Sequence, residues 1–246
     1  MKKIRISIIL PSYQEQSHVE ITLKLLKVFC KFEYEVLIVV DSIKDKTVLA
    51  FNDVKLDHPE ARLIINNTGN SAINAIEIGI AEAKHDIILL HVIDDIGPIL
   101  SFNQMHDLIF KGCDFVSANR YAKNGKRIGG SLISQIISRI GNYSLFILSN
   151  NCFLDSTTGI KMFKKEIFHR IERISKPVGW AGIFEITLKI QTDPNLLLGE
   201  VAVLSLDRIY GGESTFKLSS WIFEYFRWYL WGLINLKKKH KIVTLD

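Results

Sequence analysis

Short, nearly uninterrupted runs of β-branched and aliphatic residues alternate with helical patterns along the first half of this chain, and that alternation leaves few folds open. The runs occupy residues 4–10, 35–40, 62–65, 86–93 and 114–118, each bounded by polar or turn residues. A strand apolar on both pleat faces must be covered on both, the situation of a parallel sheet between two helix layers. Between the first two runs Ile21, Leu25, Val28 and Phe32 recur at helical spacing, and between the third and fourth Ala72, Ile76, Ile80 and Ala83 repeat the stripe. The pattern predicts an α/β fold with a doubly wound, mostly parallel sheet flanked by helices, whose ligands bind beyond the carboxyl ends of the strands. A polar loop over 119–130, a helix over about 131–148 and a late strand over 196–206 follow, then an aromatic C-terminal segment.

Composition narrows the class further. With 246 residues, 48% of them apolar and 23% charged, the chain can build its own core and is not a disordered one. Cys30, Cys113 and Cys152 are too few and too scattered for a disulfide framework or a zinc site, and read as free thiols of a reducing compartment. The N-terminus resembles a secretory leader only briefly, because Pro11 ends its apolar run and no small-residue cleavage site follows; it reads as a strand. No apolar stretch reaches the roughly 18 residues of a spanning helix. The net charge of +5 is mild, and no nucleic-acid partner is expected.

The common nucleotide motifs are missing. No GxGxxG follows the first strand, no GxxxxGK[ST] occurs, and no histidine pair has HExxH spacing. The chemistry therefore has to come from the strand ends. Pro11-Ser12-Tyr13-Gln14-Glu15 leaves the first strand with a stiff turn, an aromatic face and a carboxylate, a set that can stack on a planar base or simply turn the chain into a helix. Asp41 ends the second strand, where it can accept a base N–H or ribose hydroxyl or cap the next helix. Asn66-Asn67-Thr68-Gly69-Asn70 leads into a helix N-terminus that can face a phosphate. Asp94 and Asp95, adjacent at the end of the fourth strand, repel each other unless a cation lies near, and Mg²⁺ or Mn²⁺ held with substrate phosphates is the natural one.

Taken in order, these segments resemble the family 2 glycosyltransferases of the GT-A fold, in particular the branch that moves sugars onto dolichyl or other polyprenyl phosphates. Residues 9–15 are similar to the family's IPTYNE, Val39-Val40-Asp41-Ser42 to VVDD, and Asn67-Thr68-Gly69 with Ala72 and Gly79 to its NxG…A…G element. Ile93-Asp94-Asp95-Ile96-Gly97-Pro98 stands where the family has DADLQHPP, and Ala118-Asn119-Arg120-Tyr121 resembles GSRY. Ile137-Ser138-Arg139 with Asn142 is similar to ISRxxN, Asp155-Ser156-Thr157-Thr158-Gly159 to DxTSG, and residues 208–214 to RxYGES. Departures fall at Ser42, Val92, Ile96, Ser134 and Thr215.

The resemblance implies an inverting transfer from a nucleotide diphosphate sugar to a polyprenyl phosphate. Pro11, Tyr13, Glu15, Asp41 and Gly69 would hold the nucleotide sugar, Asp94 and Asp95 a Mg²⁺ or Mn²⁺ ion, and Arg208 the diphosphate. Arg120, Ser138, Arg139 and Asp155 would bind the acceptor. Two alternatives stay open: transfer to a glycan hydroxyl, with Asp155 or Glu185 as base, and a degenerate, non-catalytic membrane-associated subunit.

The C-terminal segment 217–246 is expected to stand apart from a catalytic domain over 1–216. From Trp221 to Leu236 nearly every residue is large and apolar, while Lys217, Ser220, Glu224, Arg227, Asn235 and Lys238 share one narrow helical stripe. At 1.5 Å per residue this helix is about 24 Å long, short of the ~30 Å hydrocarbon layer. Lys237, Lys238, Lys239 and Lys241 follow, so the segment from Trp221 to Lys241 is expected to lie in the interface of an anionic membrane, placing the protein peripherally on the cytoplasmic face. A homo-oligomer remains compatible with all of this.

Overall fold

The computed structural model describes residues 4–207 and 218–245. Its strands are β1 (Arg5–Ser12), β2 (Glu33–Val40), β3 (Ala61–Ile65), β4 (Ile87–Leu90), β5 (Phe115–Asn119), β6 (Lys126–Gly129), β7 (Lys161–Lys164), β8 (Leu198–Ala202), β9 (Leu204–Asp207) and β10 (Ile242–Val243). The helices are α1 (Val19–Phe29), α2 (Lys46–Val54), α3 (Ala72–Glu82), α4 (Phe102–Phe110), α5 (Leu132–Leu148), α6 (Lys165–Arg170), α7 (Ala181–Lys189) and α8 (Leu218–Asn235). The main sheet runs β10-β8-β5-β7-β4-β1-β2-β3, parallel except for β7, which is antiparallel to both β4 and β5. β6 and β9 form a separate parallel pair above its carboxyl edge.

Alternate residues of each buried strand feed opposite core layers, as the pleat requires. Ile6, Ile8 and Leu10 join Leu23, Phe102 and Met105 on one side, while Ile9 joins Ile76, Ile80 and Ile183 on the other. Gly79 lets α3 approach β1, since a Cβ there would stand 2.5 Å from Cγ2 of Ile9.

The doubly wound α/β architecture is the one anticipated; beside the unanticipated antiparallel strand β7, three local differences bear on the site. In α1 the buried set is Val19, Thr22, Leu23 and Leu26, whereas Val28 is 73% exposed. Two apolar stripes overlap on that helix, and the inner one contains Thr22, whose hydroxyl donates to the Ile93 carbonyl at 3.0 Å. The late strand over 196–206 is broken at Val203 into β8 and β9, and β9 takes β6 out of the supposed loop 119–130 as its partner.

The third difference concerns the boundary at 216/217, which does not divide two packing units. Trp228 is fully buried with Leu145, Phe184, Leu188 and Leu236, so α8 seals α5 and α7. β10 then pairs with β8. The segment is covered on one side by the domain and leaves Phe223, Phe226 and Ile234 exposed on the other. Among the described residues no helix is long and apolar enough to cross a membrane.

Candidate active site

The carboxyl ends of β1, β2, β4 and β5 open into one cavity of about 890 Å³. It is lined by Pro11, Tyr13, Glu15 and Asp41 after β1 and β2, by Asp94 and Asp95 after β4, by Arg120, Arg127 and Ser138, and by the apolar side chains of Ile137, Leu145, Trp221, Phe226 and Tyr229 from α5 and α8.

The turn after β1 is held in an unusual conformation. Gln14 adopts φ 57°, a left-handed value that costs a non-glycine residue energy unless its surroundings fix it. Both carboxylate oxygens of Asp45 accept from its N–H at 3.1 Å, and Thr47 Oγ1 accepts from the Glu15 N–H at 2.9 Å. These contacts present Tyr13, 58% exposed, and Glu15 to the cavity. Asp41 accepts from Asn66 Nδ2 at 2.7 Å, and burial raises its pKa above the ordinary carboxylate value. Gly69 is displaced from its anticipated role. It does not line the cavity; its φ of +125° turns its carbonyl onto Asn66 and Asn74 and brings Asn70 and Ser71 to the wall instead.

The two adjacent carboxylates have separate roles. Asp94, nearly buried, lines the cavity. Asp95 accepts from Ser205 Oγ at 2.6 Å and from the Leu206 N–H at 2.7 Å, so both its oxygens tie the loop after β4 to β9. Burial pushes its pKa up to about 6. Asp95 thus serves as a tether, while it too lines the cavity beside Asp94. Among the described residues no three His, Cys, Asp or Glu side chains gather as a cage. One carboxylate with substrate phosphates suffices for Mg²⁺ or Mn²⁺, and Asp94 fits that role. Arg208 and its loop lie outside the described residues.

On the cavity wall, Arg120 is clasped by Asp155, with Nε to Oδ2 at 2.7 Å and Nη2 to Oδ1 at 2.8 Å. Burial opposes both charges, but their mutual attraction prevails, raising the arginine pKa and lowering that of the acid. Asp155 itself is fully buried and does not line the cavity, so it orients Arg120 rather than touching a ligand. Ser138 does line it, accepting from the Tyr121 hydroxyl at 2.8 Å. Arg139 does not: successive helix residues are about 100° apart, so turning Ser138 inward turns Arg139 out into solvent.

Arg127 reaches the cavity from β6, its Nη2 donating to Asp207 Oδ2 at 2.5 Å, while its buried Nε has no hydrogen-bond partner among the described residues. No sequence signal marked it, because β6 reads as polar loop. Behind this wall Lys161 is fully buried, donating to Ser117 Oγ at 2.7 Å, and burial lowers its pKa to about 7.

Neither proposed general base is available for that work. Asp155 is committed to Arg120, and Glu185, fully buried, accepts from the Ile174 and Ser175 N–H groups at 2.8 Å and pairs with Lys189.

The fold is shared with solved structures of low sequence identity. A glucosyl-3-phosphoglycerate synthase from Mycobacterium tuberculosis, in complex with Mn²⁺, uridine diphosphate and glucosyl-3-phosphoglycerate, superposes with a TM-score of 0.67 at 14% identity, over 97% of this chain and 82% of that one. Its complex with Mn²⁺, uridine diphosphate and phosphoglyceric acid gives 0.70 at 14% identity, over 94% and 79%. A further mycobacterial protein gives 0.66 at 15% identity, over 88% and 70%. Residues 7–172 match the family model for glycosyl transferase family 2. Since that match spans most of the chain and every strand end of the cavity wall described above, the chain belongs to glycosyl transferase family 2, enzymes that transfer sugars from nucleotide-sugar donors.

Proposed function

We propose that the protein transfers a sugar, with inversion, from a nucleotide diphosphate sugar to a polyprenyl phosphate at the cytoplasmic surface of a membrane. The supporting observation is the cavity's mixed lining: carboxylates and arginines share one cavity with Ile137, Leu145, Trp221 and Phe226. A phosphate carrying a long apolar chain matches both kinds of lining.

In this reading Tyr13 stacks on the base against Pro11, while Glu15 and Asp41 accept hydrogen bonds from the nucleoside. Asp94 would hold Mg²⁺ or Mn²⁺ together with the donor diphosphate, where the ion would supply positive charge opposite the leaving group. Arg120, fixed by Asp155, meets the acceptor phosphate with Ser138. That phosphate has a second pKa of about 6 and is already a nucleophilic anion at neutral pH. It needs no general base, which agrees with the commitment of Asp155 and Glu185 to other contacts. The segment from Trp221 to Lys241 is the proposed contact with the membrane.

The synthase sharing the fold was solved with phosphoglyceric acid, so a small phosphorylated acceptor is the competing reading. A transfer assay offering polyprenyl phosphate, phosphoglycerate and an unphosphorylated glycan together, with several nucleotide sugars, decides the matter. Label entering only the organic-soluble lipid supports the proposal; label entering phosphoglycerate or glycan instead overturns it.

A further inference from the structure

Helix α5 has the reverse of an ordinary surface helix's polarity. The face toward the cavity carries Ser138, Asn142 and Leu145. The opposite face carries Ile133, Ile136, Ile140 and Ile147, which are 64%, 58%, 64% and 60% exposed. Their spacing of three, four and seven residues keeps them on one stripe. α8 lies alongside, its Tyr229 hydroxyl donating to Ser144 Oγ at 3.0 Å, and extends the apolar area with Phe223 and Phe226, 78% and 56% exposed. Exposed apolar side chains grouped on two adjoining helices mark an interaction site.

Charge identifies the partner. α5 contains no acidic residue, and Glu224, the acid of α8, is buried, accepting from the Lys176 N–H, Arg227 and Trp228. Arg139 on α5 and Lys237, Lys238, Lys239 and Lys241 after α8 are exposed, with the Lys239 ammonium over the Phe146 ring of α5. An apolar centre with a basic rim complements anionic headgroups above hydrocarbon. Pairing with a second copy would instead bring two sets of the same lysines to one contact.

We propose that α5 and α8 form a single docking plane on an anionic bilayer, α5 inserting its isoleucine face. The two helices also wall the cavity, so docking sets its mouth at the lipid surface. The inference deepens the lipid-acceptor reading and rests on it for that orientation.

The test is flotation with phosphatidylcholine vesicles, with and without phosphatidylglycerol. The wild-type protein should bind the anionic vesicles, and a chain carrying Ile133→Gln, Ile136→Gln and Ile140→Gln should bind them at least about tenfold more weakly. The corresponding triple leucine variant should bind as the wild type does. Transfer to a short-chain, water-soluble prenyl phosphate should be unaltered in both. As a second measurement, Ile140→Cys in a Cys30→Ser background, labelled with an environment-sensitive fluorophore, should shift to the blue on anionic vesicles. Undiminished binding by the glutamine variant, or an unshifted label, overturns the docking plane. So does a wild-type dimer that the glutamine variant splits while neither binds vesicles. If the wild type fails to glycosylate the short prenyl phosphate yet the glutamine variant still loses vesicle binding, the acceptor reading fails and the docking plane stands.

Discussion

Arg120 and Asp155 share a two-point clasp, at 2.7 and 2.8 Å, with the acid fully buried and the arginine side chain only 12% exposed to the cavity. Bidentate pairs of this kind fix the guanidinium plane as well as its charge. Replacing Asp155 with Ala leaves a buried cation unmatched and should lower stability by about 3–5 kcal/mol, read as a fall in the denaturant midpoint. The pH sign follows from the depressed acid pKa. The contribution is complete above the unfolded value of about 3.9 and is lost as pH falls below it, so the variant should lose less stability on acidification than the wild type.

The adjacent carboxylates should separate cleanly on substitution. Asp94→Asn should abolish Mg²⁺- or Mn²⁺-dependent donor binding while the protein stays folded. Asp95→Ala should instead cost about 1–3 kcal/mol of stability, because Ser205 Oγ and the Leu206 N–H lose their buried acceptor. Calorimetric titration of nucleotide with and without metal, set beside thermal melts, tests both. A metal-binding defect in Asp95→Ala equal to that of Asp94→Asn would place Asp95 in the ligand set.

How much of this was legible beforehand depends on where each residue lies. Pro11, Tyr13, Asp41 and Asp94 occupy ends of parallel strands, and strand alternation alone brings such ends together, so their convergence on one cavity followed from the pattern. Arg139 failed because a motif in letters carries no helix phase. Arg127 was invisible because β6 is a four-residue strand whose partner, β9, lies far along the chain. β7 was missed for a related reason: Lys161 and Lys164 bound it, and only the tertiary setting shows that Lys161 is buried.

Arg127 carries the next prediction. Its Nε is buried with no partner among the described residues, and the side chain lines the cavity, which Arg139 does not. A charge-assisted bond to an acceptor phosphate contributes about 1.5–3 kcal/mol, so Arg127→Ala should raise the acceptor KM by roughly one to two orders of magnitude. Donor affinity should hardly change. Arg139→Ala, altering a solvent-facing side chain, should leave both constants near the wild-type values. The reverse ranking in steady-state kinetics would restore Arg139.

Lys161 provides a pH signature. Burial lowers its pKa to about 7, while the unfolded lysine titrates near 10.4. Between those values the unfolded chain holds the extra proton, so this group makes stability rise with pH by up to about 1.4 kcal/mol per unit. Glu200, raised to about 7 by burial, and Asp155 both act on it. Lys161→Met fills similar volume without a charge and should remove the alkaline rise. Denaturant midpoints from pH 7 to 10 check this, and a slope unchanged in the variant would mean that the lysine is charged in the folded state.

The final prediction concerns α8. Trp228 is fully buried against Leu145, Phe184, Leu188 and Leu236, and its Nε1 donates to Glu224 Oε1 at 3.3 Å. Truncation before residue 217 removes this lid from α5 and α7 and takes β10 from the edge of β8. The shortened chain should therefore expose Phe184 and Leu188 and aggregate rather than remain a soluble domain. Trp228→Ala in the full chain isolates the core contribution and should cost about 3–5 kcal/mol. Phe223→Gln, on the exposed side of the same helix, should leave the melting temperature unchanged. Near-equal melting of wild type and Trp228→Ala would show that α8 does not close the domain.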